Sequence, residues 1–287
     1  MRRRRRRLNS DSMGGSFQNL PKHGVGIGFR EQFRADLFLH QAEIDFLEIT
    51  ADHYLDATAQ KLEELELLRQ HFPLIPHGLN LSLGSAEGVD EKYLEKLAAL
   101  IEKLQPAWFS EHICFTKSGG IDIGHLAPLA FTRESLDVLK RNVGRVRQFI
   151  KTPLILENIT YMIRFPFSEM DEAEFITELI EETDCGLLLD VTNLYINSIN
   201  HGYDWRGFLE KLPSERIVQL HFVGSHRHGN LLIDGHADKT EDEIWNVFRE
   251  VCVKSNVKGA ILERDEKFPP FAEILQELET ARNLLKN

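Results

Sequence analysis

Short apolar runs alternate along the chain with longer segments in which apolar residues recur every three or four positions. The short runs have the length of strands, and the longer segments have the periodicity of amphipathic helices. Strands are predicted at residues 24–29, 46–50, 74–79, 108–113, 153–158, 186–191, 216–222 and 259–264. Helices are predicted at residues 59–71, 91–104, 132–150, 171–182, 241–254 and 271–285. Strand then helix, repeated around eight strands, predicts an α/β protein with a single (β/α)8 barrel.

Two connections do not fit this alternation. Residues 193–203 resemble a loop before a short apolar segment at 205–212. Residues 223–240 form another long connection, which follows a strand and is rich in glycine and histidine. A long loop of this kind in a barrel is expected to be functional.

Length and composition predict one domain with a basic tail. The chain has 287 residues, of which 42% are hydrophobic, enough for a well-buried core. Residues 1–20 open with six arginines at 2–7 and show no periodicity, so they are predicted to be a disordered tail, with residues 21–287 forming the barrel. Met13 is an alternative natural start, and a basic arm for an acidic partner is the other interpretation.

The charge of the chain excludes some classes of partner. Acidic residues outnumber basic ones by 45 to 34, and the net charge of −11 becomes −17 without the six arginines of the tail. Such a surface repels phosphate backbones and anionic lipid, which argues against nucleic-acid and membrane partners. Three cysteines without a CxxC pair argue against a disulfide framework and fit a reducing, cytoplasmic compartment.

Ionisable residues lie near the carboxyl ends of nearly all the predicted strands. Barrel strands are buried on both faces, so such residues need an explanation. They are Glu48, His77, Glu111, His112, Glu157, Asp190, His221 and Glu263. Because the carboxyl ends of all barrel strands ring the same mouth, these side chains are expected to converge where barrel active sites are built.

The composition of this ring indicates metal binding. Crowded carboxylates resist ionisation unless cations neutralise them, and imidazoles mixed with carboxylates suit iron, manganese or zinc. In the connection after the seventh strand, Asp234 and His236 lie two positions apart and can point the same way on an extended segment. The candidate ligands are His77, His112, Glu157, Asp190, His221, Asp234, His236 and Glu263. These are too many for one ion with open positions, so two or three ions bridged by carboxylates are predicted.

Four other residues are candidates for supporting or substrate-contacting roles. Asn158 and Asn193 each lie close to a candidate carboxylate and could coordinate an ion or orient a ligand. Glu48 belongs to the ring, and His226 could ligate, face the substrate or only be solvated. The glycines at 24–28 lie within a strand rather than between a strand and a helix, so a dinucleotide-binding loop is excluded.

Eight segments of the chain resemble a known family. They read GVGIGFR at 24–30, HGLNLSLGS at 77–85, SEHICFT at 110–116, LILENIT at 154–160, LLLDVTNLYINSINHG at 187–202, QLHFVGSH at 219–226, LLIDGHAD at 231–238 and ILERD at 261–265. These motifs resemble the multinuclear non-haem iron-dependent oxidative enzymes, typified by the methanobactin-biosynthesis protein B and long catalogued as a domain of unknown function. The resemblance spans essentially the whole barrel, which it implies to be a TIM barrel of the xylose-isomerase-like kind.

The resemblance implies a metal and a reaction. By it, the eight candidate ligands are the family's iron ligands, and Asn193 occupies a place where the ligand type varies. It further implies two or three irons of mixed Fe(II)/Fe(III) valence, dioxygen as co-substrate, and modification of a residue, often cysteine, in a ribosomally made precursor peptide. Family members typically work with a partner protein that grips the leader peptide. Here the chain ends after one barrel, so such a module is expected to be a separate chain or unnecessary.

Two departures from the family pattern keep the substrate and the reaction open. The chain reads Asp52-His53-Tyr54 where the family commonly reads Glu-Asn-Tyr, and it reads HFVGSH at 221–226 where the family commonly reads His-Leu-Ala-Gly-His. A metal-dependent hydrolase or isomerase on a similar barrel is the alternative enzyme. A metal-binding scaffold of a biosynthetic complex is the non-enzymatic alternative.

Overall fold

Parallel strands close into a barrel in the order that the apolar runs predict. The computed structural model describes residues 15–286. Its strands are β1 (Gly24–Gly28), β2 (Leu47–Thr50), β3 (Leu74–His77), β4 (Phe109–His112), β5 (Phe115–Ser118), β6 (Ile121–Ala127), β7 (Leu154–Glu157), β8 (Gly186–Asp190), β9 (Ile217–Phe222), β10 (Gly224–His228), β11 (Leu231–Asp238) and β12 (Gly259–Leu262). The barrel order is β1-β12-β9-β8-β7-β4-β3-β2, and β1 pairs with β2 to close it. These strands match the eight predicted ones, which confirms the (β/α)8 fold.

The helices lie around the barrel and begin at recognisable caps. They are α1 (Gly15–Gln18), α2 (Arg34–Leu39), α3 (Asp52–Leu55), α4 (Ala59–His71), α5 (Glu91–Leu104), α6 (Arg133–Phe149), α7 (Glu172–Thr183), α8 (Val191–His201), α9 (Trp205–Lys211), α10 (Asp242–Lys254) and α11 (Phe271–Leu285). Side chains of Thr58, Asp90, Thr132, Asp171 and Asp204 accept backbone hydrogen bonds at the starts of α4, α5, α6, α7 and α9. Within residues 15–286, every helix is too short or too polar to cross a bilayer.

The segment 193–203, predicted as a loop, is instead most of helix α8. Asp190, the last residue of β8, caps this helix by accepting a hydrogen bond from the backbone N–H of Asn193 at 2.8 Å. Gly202 ends it in the left-handed conformation, at a φ of +70°. The side chain of Asn193 donates to the carbonyl oxygen of Asn158 at 3.1 Å. The prediction is wrong because such tertiary hydrogen bonds outweigh the low helix propensity of asparagine.

The connection at 223–240 contains an antiparallel hairpin of β10 and β11. A second hairpin, of β5 and β6, follows β4 in a region without a predicted element. One strand of each hairpin, β6 or β10, is largely exposed, so it lacks the apolar alternation that marks a half-buried strand. Each hairpin directly follows the carboxyl end of a barrel strand, β4 or β9, and therefore lies on the side of the mouth.

Apolar side chains pack in two layers. The larger layer lies between the strands and the helices. The smaller one fills the amino-terminal half of the barrel interior and consists of Phe17, Phe46, Ile75, Trp108, Ile155, Leu188, Val218 and Ile261. His77, Glu157 and Asp190 are the last residues of their strands, so these candidate ligands lie above the apolar floor.

Phe17 shows that the folded chain begins before residue 21. Residues 1–14, with the arginine run, lie outside the described residues, whereas residues 15–18 form α1. Phe17 is 3% exposed and packs into the floor. A Cβ at Gly186 would lie 2.9 Å from the Phe17 ring, so glycine there leaves room for this contact. Residues 15–20 are therefore part of the barrel and not of a tail.

This packing predicts that Phe17→Ala destabilises the protein. The substitution empties the floor of a buried aromatic ring, so the free energy of unfolding should fall by about 3 kcal/mol in urea titrations. Phe167→Ala is the matched control, because Phe167 is 64% exposed. A loss no larger than that of the control would show that Phe17 does not belong to the core.

Candidate metal centre

The strand ends bring most of the predicted ligands into three groups at the mouth. The inner group consists of His77, His112 and Glu157, the middle group of Glu157, Asp190, His221 and Glu263, and the outer group of His236, Glu263 and Asp265. Within each group, one nitrogen or oxygen atom of each residue lies within 4.8 Å of those of the others. Asp234, the eighth predicted ligand, contacts His236 through Oδ2 and Nε2 at 2.8 Å. All eight predicted residues therefore lie in or beside these groups.

In the inner group, two imidazoles face one carboxylate oxygen. Nε2 of His77 and Nε2 of His112 each lie 3.4 Å from Oε2 of Glu157. The two rings meet edge to face, with centroids 4.5 Å apart. All three residues are buried. Three donor atoms thus converge on one point, as the shell of a metal ion requires.

Hydrogen bonds on the far side of each ring decide which nitrogen faces the centre. Nδ1 of His112 lies 3.1 Å from the carbonyl oxygen of Gly78, which can only accept, so Nδ1 carries the proton. Nδ1 of His77 lies 2.7 Å from Oγ of Ser110 and can donate to it. With Nδ1 of each ring bonded in this way, Nε2 is the nitrogen that faces Glu157, and it is the one that would bind a metal once it carries no proton.

His221 is oriented from the floor by a chain of hydrogen bonds that begins at Trp108. The indole N–H, which can only donate, bonds to Oε1 of Gln219 at 2.8 Å. Nε2 of Gln219 therefore donates to Oε2 of Glu48 at 2.5 Å, and Oε1 of Glu48 lies 2.8 Å from Nε2 of His221. Because Nε2 of His221 donates to Glu48, Nδ1 is the nitrogen that faces the middle group, and loss of its proton would free its lone pair for an ion.

Two carboxylates join the three groups. Oε2 of Glu157 faces the inner group, while its Oε1 lies 3.0 Å from Nδ1 of His221 in the middle group. Oε2 of Glu263 also lies 3.0 Å from Nδ1 of His221, while its Oε1 lies 3.8 Å from Nδ1 of His236 in the outer group. Each of these glutamates offers one oxygen to each of two neighbouring groups, the arrangement of a bridging ligand.

Several buried atoms of the centre lack any hydrogen-bond partner among the described residues. They are Nε2 of His77, Oε2 of Glu157, Oδ2 of Asp190, Oδ1 of Asn193 and Oδ1 of Asp234. A buried polar atom without a partner costs about 1–3 kcal/mol, so such atoms are rare unless an ion or water binds them. Their clustering on the predicted ligands fits a centre that holds metal ions.

The asparagines support the middle group in different ways. Asn158 bonds through both amide atoms to the backbone N–H and C=O of Asp190, at 2.9 and 3.0 Å, and so positions this carboxylate. One oxygen of Asp190 accepts from Asn193, which leaves Oδ2 for the centre. Oδ1 of Asn193 is itself free to coordinate.

His226, by contrast, is half-exposed on β10 and pairs with Asp238 at 3.3 Å, outside the three groups.

A buried ion pair holds the outer group against the barrel. Arg264 and Glu277 form this pair at 2.8 Å. Arg264 donates to the carbonyl of Ala237, and Glu277 accepts from the N–H of Thr240, both at the end of β11. Arg264 therefore anchors the hairpin that carries Asp234 and His236. Since its guanidinium is occupied in this way, it does not neutralise the neighbouring Glu263.

Sequence reasoning missed Asp265 of the outer group and Arg30, which contacts it. Asp265 lies 3.2 Å from Nδ1 of His236 through Oδ2, and its Oδ1 accepts a hydrogen bond from Nε of Arg30 at 2.7 Å. The position of Asp265, two residues beyond Glu263, was a signal, because positions i and i+2 share a face on an extended segment. Arg30 had no such signal, since its contact with Asp265 spans most of the chain.

Carboxylates and imidazoles shift one another's pKa. Burial lowers the pKa of His112, but Glu157 and Glu111 outweigh it and raise the pKa to about 9. Burial, with the nearby Asp234 and Glu157, raises the pKa of Asp190 well above its usual range. Without bound cations the centre therefore retains protons near neutral pH, and metal ions would displace them.

These shifts predict how the stability of the metal-free protein depends on pH. The pKa of His112 is raised from 6.5 to about 9 by folding, so its contribution is fully present below pH 6.5 and is lost as the pH rises through 9. In the presence of a chelator, the free energy of unfolding should fall across this window, and the part of the fall that is due to His112 should be about 3 kcal/mol. His112→Gln should flatten this part of the curve, while the exposed His125→Gln should not. Equal slopes in the two variants would contradict the pKa assignment.

The fold and the site define a (β/α)8-barrel protein with a histidine–carboxylate centre that can hold metal ions. A family model described as RiPP precursor modification enzyme MbnB/TglH/ChrH matches residues 24–286. A UPF0276 protein of Caulobacter vibrioides is 32% identical over 263 residues, which cover 91% of this chain and 94% of that protein. A UPF0276 protein of Anaeromyxobacter sp. is 34% identical over 254 residues, which cover 88% and 90%. The chain belongs to the MbnB/TglH/ChrH family, which confirms the predicted resemblance and indicates an enzyme.

Several solved structures with a similar fold are sugar epimerases. The 3-keto-D-glucoside 4-epimerase YcjR of E. coli has a TM-score of 0.58 and 13% identity, covering 91% of this chain and 100% of that one. A D-psicose 3-epimerase of Clostridium cellulolyticum H10 has a TM-score of 0.60 and 11% identity, covering 92% and 98%. At this identity the likeness shows the fold alone, a TIM barrel.

Proposed function

We propose that this chain is an iron-dependent enzyme that uses dioxygen to oxidise a residue, often cysteine, of a ribosomally made precursor peptide. The family to which it belongs modifies such precursors, which supports the substrate class. The observation that most directly supports metal binding is the row of three groups joined by Glu157 and Glu263. Each group offers both nitrogen and oxygen donors, a mixture that suits iron better than magnesium or calcium.

The first task of the residues is to hold several ions close together. The bridging positions of Glu157 and Glu263 supply negative charge to neighbouring groups at once, which offsets the repulsion between cations. His77, His112 and His221 are each held from behind, so their donor nitrogens need no reorientation when an ion binds. Bound iron with an open position would supply dioxygen binding and one-electron chemistry.

The second task is to separate a buried interior from an accessible end. His77, His112, Glu157 and His221 are all at least nine-tenths buried, whereas the side chain of Asp265 in the outer group is 38% exposed. We therefore place the entry of the peptide residue at the outer group. There Arg30, paired with Asp265, provides positive charge next to the carboxylates. A peptide thiol or carboxylate that approaches from this side meets the donor groups in the order outer, middle, inner.

A separate partner that binds the leader peptide remains part of the proposal. Its support within the described chain is a run of large exposed apolar side chains in one loop, Met162, Ile163 and Phe167, each at least 58% exposed. Neighbouring exposed apolar side chains of this kind often mark protein-binding surfaces.

The partner proposal predicts a difference in affinity. The barrel alone should bind its precursor peptide weakly, and the partner should tighten binding at least tenfold, or about 1.4 kcal/mol, in calorimetric titrations. Nanomolar binding of the precursor by the barrel alone would argue against a partner of this kind.

Metal content and dioxygen dependence test the proposed chemistry. Protein loaded with iron should contain two or three ions per chain by elemental analysis, one for each occupied group. It should change the mass of a cysteine-containing precursor in air and leave it unchanged under nitrogen. Well-folded protein that binds fewer than two ions, or that turns over a substrate equally well without dioxygen, would favour a hydrolase or isomerase instead.

A substitution at Glu263 tests whether this carboxylate is a ligand. Glu263→Gln keeps the volume of the side chain but removes the charge shared by the middle and outer groups, so iron content and activity should fall together. The metal-free fold should lose less than about 2 kcal/mol, because the change is nearly isosteric. Glu266→Gln, at an exposed position three residues further on, is the control. Full iron content and unchanged turnover in Glu263→Gln would remove Glu263 from the centre.

A further inference from the structure

A pocket with aromatic walls lies away from the three metal groups. It has a volume of about 240 Å³ and lies between the loop after β7 and the helices α7 and α9. Its walls include the rings of Phe131, Tyr161, Tyr203 and Phe208. Phe131 meets Tyr161 edge to face with centroids 5.7 Å apart, and Tyr203 stacks on Phe208 at 5.8 Å. Because these rings pack against one another, the walls of the pocket are in place before a ligand binds.

A buried carboxylate lines this pocket without a cation beside it. Glu172, the first residue of α7, is only 7% exposed. The phenol groups of Tyr161 and Tyr203 both donate to its Oε2, at 3.0 and 3.3 Å. Within residues 15–286, no hydrogen bond reaches its Oε1 and no cation forms an ion pair with it. A buried carboxylate without a cation is costly, so the pocket lacks one charge.

The basic residues at the rim do not supply that charge. Lys211 is already bound by Asp171 and Glu174. Arg164 also lines the pocket, but it is exposed, and it acts on Glu172 only through its longer-range charge. A cation that enters the pocket would therefore meet an unpaired carboxylate inside and a competing arginine at the rim.

We propose that this pocket binds the ammonium or guanidinium group of a lysine or arginine side chain in a peptide. Aromatic faces attract such cations, and Glu172 would form the ion pair that it lacks. A groove of about 440 Å³ continues from the pocket and shares Phe131, Tyr161 and Arg164 with it, which gives room for the residues that flank the basic one. That the basic residue belongs to the precursor peptide rests on the proposed function. That the pocket binds a cation does not, because the pocket shares no residue with the metal groups.

Small probes test the pocket without any reference to iron. Butylguanidinium and butylammonium should bind the protein as purified in NMR titrations, with shifts at Tyr203 and Phe208, whereas the neutral butanol should not bind. Glu172→Gln keeps the acceptor for both phenols and should weaken cation binding at least tenfold. Glu181→Gln, an exposed position on the same helix, should leave it unchanged. Equal binding by Glu172→Gln, or equal binding of butanol, would overturn the proposal whether or not the protein proves to be an iron enzyme.

A substitution at the surface should change the affinity for the cation in the opposite direction. Arg164→Ala removes the competing cation without touching the core, so it should tighten binding of butylguanidinium severalfold. Unchanged or weaker binding would count against the proposal.

A blocked Phe-Lys-Phe peptide should bind more tightly than butylammonium, because its flanking residues reach the groove. Tighter binding of the free amine would overturn the assignment to a peptide side chain.

The dependence on pH adds a further test. Burial, with Asp171, raises the pKa of Glu172 to about 7, against the opposing effects of Tyr161, Tyr203 and Arg164. The pKa of Asp171 is lowered, since Lys211 and backbone N–H groups outweigh its burial, and those of both tyrosines are raised far above 10. Glu172 should therefore lose its proton within this range, and cation affinity should rise from pH 5.5 to 8.5 in the wild type. Other ionisable groups beside the pocket, such as His201 stacked on Tyr161 at 4.4 Å and Asp204 in the lining, remain in Glu172→Gln and so act equally in both proteins. The same rise in Glu172→Gln would contradict this.

Discussion

The structure depends on the need to neutralise several carboxylates buried at one end of a barrel. Glu157 is the clearest case, because it is 2% exposed and its two oxygens face two different sets of imidazoles. A buried carboxylate is tolerated only with partners of opposite charge or with strong hydrogen-bond donors. Protonated histidines serve that purpose in the absence of metal. Ions would serve it better, since they would also satisfy the buried atoms that have no partner now.

The rest of the barrel prepares the donor atoms for such ions. Its amino-terminal half is closed by an apolar floor that includes Phe17 and Trp108. The single polar atom of the Trp108 side chain determines the orientation of Gln219, and through Glu48 it determines which nitrogen of His221 faces the mouth. A tryptophan in the core thereby determines which nitrogen of a histidine can bind an ion at the centre.

Short-range patterns in the sequence predict the barrel and most of the metal centre. Strands appear as apolar runs, and chain order alone places their carboxyl ends together, so the sequence is enough to group residues such as His77 and Glu157. Helix α8 escapes prediction because its asparagines are held by contacts with residues far away in the sequence, such as Asn193 with Asn158 and Asn197 with Ile159. Arg30 escapes it for the same reason. Phe17 falls within the predicted tail because a single aromatic residue in an otherwise polar segment gives no periodic signal.

The central claim is that the three groups are successive parts of one metal centre. Anomalous diffraction at the iron absorption edge, from crystals of iron-loaded protein, tests it most directly. We expect one peak among Nε2 of His77, Nε2 of His112 and Glu157, and a second beside Nδ1 of His221, with Glu157 between them. A map without peaks at these positions, in which the imidazoles remain hydrogen-bonded to the carboxylates, would contradict it.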